Sequence, residues 1–157
     1  MTPELTDIFK ENYLVCGLEP EAVVQVAEMA EVERKLARET LIKINEKSSD
    51  LYVILAGRVV IMTGDGDKLA EVGPGSVLGE MALIDNRPRS AEVICTGLTT
   101  VARIPAQSLR KFMWQNKDIG FVILANLARV LSGRLRQADA KIDELMGAPD
   151  DFWKDSL

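Results

Sequence analysis

Histidine is absent from this 157-residue chain. That absence excludes a proximal-histidine haem, histidine-ligated metal sites and every catalytic triad that needs an imidazole base. Cysteine is nearly absent. Cys16 and Cys95 stand far apart and outside any C-x-x-C pair, which argues against zinc ribbons and iron–sulfur clusters. They read as two reduced core thiols of a cytoplasmic protein. Positive charge is also scarce: 19 Lys and Arg face 24 Asp and Glu, for a net charge of −5. An acidic chain is a poor binder of a nucleic-acid backbone. No apolar run has the length of a membrane span. Asp7, Lys10 and Glu11 interrupt the N-terminal stretch that a signal peptide would require. The expectation is a soluble, cytoplasmic protein with no metal, no cofactor, no DNA and no membrane partner.

The chain length suits one domain, with a core that needs no disulfide. The hydrophobic fraction of 47% and charged fraction of 27% are ordinary for a globular protein. Leu5, Ile8 and Phe9 share one face of a short N-terminal helix. A second helix is predicted from about Glu21 to Glu31, with Pro20 at its tolerated first turn. The period then changes. Short strands are predicted at Thr40 to Ile44, Leu51 to Leu55, Val59 to Met62, Lys68 to Val72, Ala91 to Thr96 and Thr99 to Ile104. Gly57, Gly64-Asp65-Gly66-Asp67, Gly73-Pro74-Gly75 and Gly97 punctuate them. Short strands with frequent turns indicate an antiparallel sandwich or barrel. No internal repeat or low-complexity tract is present.

Helical period returns at Ala106. Leu109, Phe112 and Met113 mark a helix ending near Asn116, and a long helix is predicted from about 118 to 146. Along it Phe121, Leu124, Ala128, Leu131, Leu135, Ala138, Ile142 and Leu145 alternate steps of three and four, which is a heptad seam. The first half carries a wider apolar arc than the second. The predicted arrangement is a helix that packs on its own domain first, then extends to pair with a second copy. Residues 1–146 read as the domain and 147–157 as a short tail, in which Phe152 and Trp153 are expected to tuck back onto the body.

The run Gly79-Glu-Met-Ala-Leu-Ile-Asp-Asn-Arg-Pro-Arg-Ser-Ala-Glu-Val93 carries the chemistry. Glycine lets backbone amides approach an anion closely. The Arg89 guanidinium presents a planar fork of donors to phosphate oxygens. Glu80 accepts a hydrogen bond from a hydroxyl, and Ser90 and Ala91 follow the arginine directly. These groups together suit a ligand with an anionic phosphate and a free sugar hydroxyl.

This run resembles the phosphate-binding cassette of cyclic nucleotide-binding domains. Leu51-Tyr-Val-Ile-Leu-Ala-Gly-Arg-Val-Val60 is similar to the family's strand pair around a glycine. Val72-Gly-Pro-Gly-Ser-Val-Leu-Gly-Glu80 resembles its lead-in. The resemblance spans roughly residues 3–140. It implies a mainly β fold: an eight-stranded antiparallel β-roll of jelly-roll type, with N-terminal helices and a long C-terminal helix. It further implies that Arg89 pairs with a cyclic phosphate and that Glu80 accepts from the ribose 2′-hydroxyl. Gly79, Met81 and Ala82 would line the turn, led in by Val77 and Leu78. Ser90 would contact phosphate or base, and Ala91 would give clearance. By spacing, the helix stretch from Leu127 to Leu135 would cover the base, and Arg134 would either stack on the purine or donate to it. Arg87 reads as solvent-facing, and Arg58, Lys68 and Arg103 as strand-edge charges.

The expected function is a non-enzymatic sensor of a cyclic purine mononucleotide, cAMP ahead of cGMP. It would signal by movement of its C-terminal helix to a homodimer partner or an unidentified downstream protein. The residues after Gly147 are too few for a helix-turn-helix, so a stand-alone module is expected. The competing expectation is an interaction protein that keeps the β-roll without a working ligand.

Overall fold

The computed structural model describes residues 1–146. Helix α1 (Pro3–Lys10) is capped by the Thr2 hydroxyl, which accepts from Leu5 N at 3.3 Å. A 3-10 turn at Tyr13–Val15 follows, and then α2 (Pro20–Met29) with its proline at the first turn. The predicted second helix ended at Glu31. It stops at Met29 because Ala30 turns extended and Glu31 opens the first strand.

Eight strands follow: β1 (Glu31–Lys35), β2 (Thr40–Ile42), β3 (Leu51–Ala56), β4 (Val59–Met62), β5 (Lys68–Val72), β6 (Val77–Leu78), β7 (Glu92–Cys95) and β8 (Thr99–Ile104). They form two antiparallel four-stranded sheets, ordered β1-β8-β3-β6 and β2-β7-β4-β5. The β-roll expected from the sequence is therefore present. The strand pattern had missed β1 and β6. β1 (EVERK) is charged and half exposed, and β6 has two residues. Both are recruited by pairing, Val32 opposite Ala102 and Val77 opposite Val53.

The sheet β1-β8-β3-β6 is apolar on both faces because it has two neighbours. Ile54 and Val101 turn inward to Leu41, Val59 and Val93 of the facing sheet. Leu51, Val53, Leu55, Ala102 and Ile104 turn outward to Phe9, Leu109, Ile123 and Leu127 on the helices. That double burial explains the nearly unbroken apolar run of β3. The cassette forms a short helix, α3 (Glu80–Asp85), where the sequence indicated only a turn.

Helices α4 (Ala106–Gln115) and α5 (Lys117–Met146) close the fold. They meet at Gly120, where a Cβ would lie 2.8 Å from the Met113 carbonyl. Helix α5 docks through Ile119, Ile123 and Leu127, with Leu131 at the margin. The heptad seam shares Leu131 with that docked face and otherwise turns away from it: Phe121, Leu135 and Leu145 are 72%, 64% and 77% exposed. The expectation for Phe152 and Trp153 lies outside the described residues. No helix among the described residues is long and apolar enough to cross a membrane.

Candidate functional site

The chain leaves β6 at Leu78 and turns at Gly79 with φ +80° before entering α3. A Cβ at Gly79 would stand 2.5 Å from Arg89 Nη1 and 3.0 Å from the Asp50 carbonyl. Glycine is required there for both its left-handed φ and its lack of a side chain. Arg89 Nη1 donates to the Gly79 carbonyl at 3.1 Å, and Nη2 donates to the Asp50 carbonyl. The Arg89 main chain is held on both sides. Its N–H donates to Glu46 O and its carbonyl accepts from Asn45 N, each at 2.8 Å. Asp50 is itself fixed: its carboxylate accepts from Ala106 N at 3.0 Å and from Arg103 Nη1 at 2.8 Å. Arg103 also binds Glu33 at 2.8 Å and contacts Glu31. It is thus the hub of an ion-pair network rather than the strand-edge charge the sequence indicated.

Arg89 is 6% exposed, and its Nε is buried with no hydrogen-bond partner among the described residues. Burial lowers its pKa, while Tyr52, Glu46, Asp50 and Glu80 pull the other way. An arginine stays charged in such a site. A buried guanidinium with a donor to spare is costly unless an anion completes it.

Arg89 borders a cleft of about 750 Å³ between the β-roll and α5. Glu80 also lines it and is buried at 4% exposure. From α5, Arg134 Nη1 donates to Glu80 Oε1. The predicted role for Arg134 was a contact to the base. In the structure its guanidinium lines the cleft and spans the gap between helix and cassette. One Glu80 oxygen remains outside that bond. The first-turn amides of α3, from Glu80 to Ala82, have no intrahelical acceptor.

The fold brings all the sequence-predicted residues to one cleft: Val77, Leu78, Gly79, Glu80, Met81, Ala82, Arg89, Ser90, Ala91 and Arg134. Met81, although lining the cleft, is 53% exposed. Arg87 is exposed as expected, but sits on the cleft rim. The sequence reading missed the far wall, built by Ile61, Ala70 and Val72 of β4 and β5, and Val130 of α5. It also missed Tyr13, which lines the cleft and whose hydroxyl is buried without a partner among the described residues. Asn12 ahead of an apolar run was a legible cap signal for the turn carrying Tyr13. Nothing local placed that turn beside Glu80.

A β-roll with a buried arginine and a carboxylate in a cleft under a long helix defines a small-anion-binding domain. The family profile of the cyclic nucleotide-binding domain matches residues 32–116. The chain belongs to that family. Among solved structures it is similar to the catabolite activator protein of Thermus thermophilus, at 26% identity and TM-score 0.75, over 86% of this chain and 63% of that one. A cyclic nucleotide-binding domain from Methylobacillus flagellatus KT superposes at TM-score 0.76 with 24% identity, over 95% of this chain and 85% of that one. Curated relatives include Glutaminase 2 of Bradyrhizobium diazoefficiens, 27% identical over 86% of this chain and 22% of the relative. Potassium channel KAT3 of Arabidopsis thaliana is 30% identical over 92% of this chain and 22% of the channel. The chain spans about a fifth of the length of these curated relatives.

Proposed function

We propose that this chain is a regulatory, non-catalytic receptor module for a cyclic purine mononucleotide, with cAMP as the preferred ligand. The reading is carried by Arg89: a buried guanidinium whose Nε is unpaired among the described residues, held at the mouth of a turn that only glycine fits. The cyclic phosphate pairs with Arg89 and the first-turn amides of α3. The free oxygen of Glu80 accepts the ribose 2′-hydroxyl. Ser90 contacts phosphate or base, and Ala91 leaves room beside it. The purine rests on the apolar wall of Ile61, Ala70 and Val72. That wall leaves the exocyclic amine of either purine unpaired; guanine also brings an N1–H and a carbonyl oxygen and so costs more to desolvate there, which favours adenine.

Signalling follows from the Arg134–Glu80 bond, which ties α5 to the group that reads the sugar. Ligand that contacts the closed arrangement better than the open one shifts α5 toward closure. The seam from Phe121 to Leu145 passes that motion to a second copy of the chain, in a homodimer. A downstream protein partner would read the resulting helix arrangement.

Isothermal titration with cAMP and with cGMP tests the reading, using the parent chain and Arg89→Ala. Two charge-assisted bonds at about 1.5–3 kcal/mol each amount to a loss of roughly a hundredfold or more, at about 1.4 kcal/mol per tenfold. Equal binding by Arg89→Ala would remove the phosphate assignment. No binding at millimolar nucleotide would leave an interaction scaffold that retains the roll. Tighter binding of cGMP would overturn the adenine preference alone.

A further inference from the structure

The cleft contains a donor that the cassette does not account for. Tyr13 lies on the 3-10 turn, far from the cassette in sequence, yet lines the same cleft as Glu80 and Arg134. Its hydroxyl is shielded from solvent and has no partner among the described residues. The turn beneath it is rigidly built. Asn12 caps it, accepting from Leu14 N at 3.0 Å and donating to Phe9 O at 2.7 Å. Asn126 of α5 then straps it down, donating to Leu14 O at 2.9 Å and Cys16 O at 2.8 Å. Both asparagines are buried. A turn fastened on two sides thus holds a cleft-lining tyrosine whose phenol hydroxyl is buried and unpaired, and such a group is unfavourable in the free protein.

The chemistry of the sugar indicates what this phenol meets. A 2′-hydroxyl has one hydrogen to give and lone pairs to fill. Glu80, as a carboxylate, takes the hydrogen and cannot fill the lone pairs. The Arg134 Nη1 is already committed to Glu80. We infer that Tyr13 is a further ligand-contacting residue, its O–H donating to the 2′-oxygen whose hydrogen Glu80 accepts, so that the ribose hydroxyl is read from both sides. This rests on the cyclic-nucleotide reading of the same site. Burial chiefly, then the charge of Glu80, raise the Tyr13 pKa, with Arg134 opposing. The phenol therefore keeps its proton as a donor throughout the physiological range.

The test is Tyr13→Phe in the full chain, titrated calorimetrically with cAMP and with its 2′-deoxy analogue. The expected result is about three- to tenfold weaker binding of cAMP, the worth of one neutral hydrogen bond, with binding of the 2′-deoxy analogue unchanged. The melting temperature of the ligand-free variant should equal or exceed that of the parent, because no native bond is removed. An equal loss for both ligands, or no loss for either, overturns the inference, as does a lowered melting temperature. Failure of the parent chain to bind either nucleotide overturns the cyclic-nucleotide reading as well. Parent binding with the Tyr13→Phe profile unaltered overturns the Tyr13 assignment alone.

Discussion

Arg89 is held by carbonyls, not carboxylates: its two terminal nitrogens meet the Gly79 and Asp50 backbone oxygens. Carbonyls orient the guanidinium without neutralising it, so its charge is left for a ligand. That arrangement makes Gly79 as important as the arginine. Gly79→Ala forces a left-handed φ on a β-carbon that would sit 2.5 Å from Arg89 Nη1. The expected cost is about 1–3 kcal/mol of stability, measured by urea denaturation, together with weakened nucleotide binding as Arg89 is pushed aside. Alanine tolerated with neither loss would contradict the fit described for this turn. The two thiols separate cleanly. Cys16 is exposed, whereas Cys95 is buried and burial raises its pKa. An alkylating reagent should label Cys16 in the native protein and Cys95 only after unfolding, read by mass spectrometry of the intact chain. At this scale the sequence was legible where the chemistry is contiguous. Gly79, Glu80 and Arg89 lie in one short run, and the structure brings all three to one cleft. Asp50 and Tyr13 were not legible, because they reach the site only through strand pairing and the packing of a turn on α5.

Among the described residues, side-chain hydrogen bonds from Asn126 and Arg134 fasten helix α5 to the rest of the domain, besides its apolar face. Asn126 holds the 3-10 turn, and Arg134 reaches the cassette. They differ in kind. Asn126 is 5% exposed, and removing its amide leaves the Leu14 and Cys16 carbonyls unpaired. Asn126→Ala should therefore destabilise the fold by about 1–3 kcal/mol, seen as a lower urea midpoint with an unchanged slope. Arg134 is 51% exposed at the side chain, so solvent screens its bond to Glu80. A double-mutant cycle over Arg134→Ala and Glu80→Ala should give a coupling of at most about 1 kcal/mol. A contact of that size releases easily, as the proposed movement of α5 requires. A coupling of several kcal/mol would make the pair a fixed brace instead. The helices and most strands were readable from period and punctuation because those signals are local. The ends drifted where tertiary pairing decides, at Glu31, which β1 claims from α2, and at Val77–Leu78, which β6 takes from what read as the cassette's lead-in.

On the scale of the whole molecule, α5 presents two apolar faces, one buried and one exposed. Ile123 and Leu127 are buried in the domain's own core, while Phe121, Leu124, Leu135, Ile142 and Leu145 stand exposed along the heptad seam. A row of large exposed side chains on one helix face is unusual for a surface that meets only water. Its steps of three and four suit knobs-into-holes packing against an identical helix with a left-handed supercoil. The seam continues past the last core contact, where nothing in the packing of the described residues calls for apolar side chains. Leu135 and Ile142 are the positions that separate the two faces, since neither borders the cleft nor packs on the core. Leu135→Glu combined with Ile142→Glu places carboxylates across a two-fold seam, opposite their own copies. Sedimentation equilibrium should show a dimer for the parent chain and a monomer for the double variant. Arg89 and Glu80 line one cleft of a single chain, so on the proposed reading calorimetry on that monomer should still show saturable nucleotide binding. A parent chain that remains monomeric at high micromolar concentration would remove the seam as a self-association surface. A variant that loses nucleotide binding along with dimerisation would place part of the cleft's closure in the partner helix.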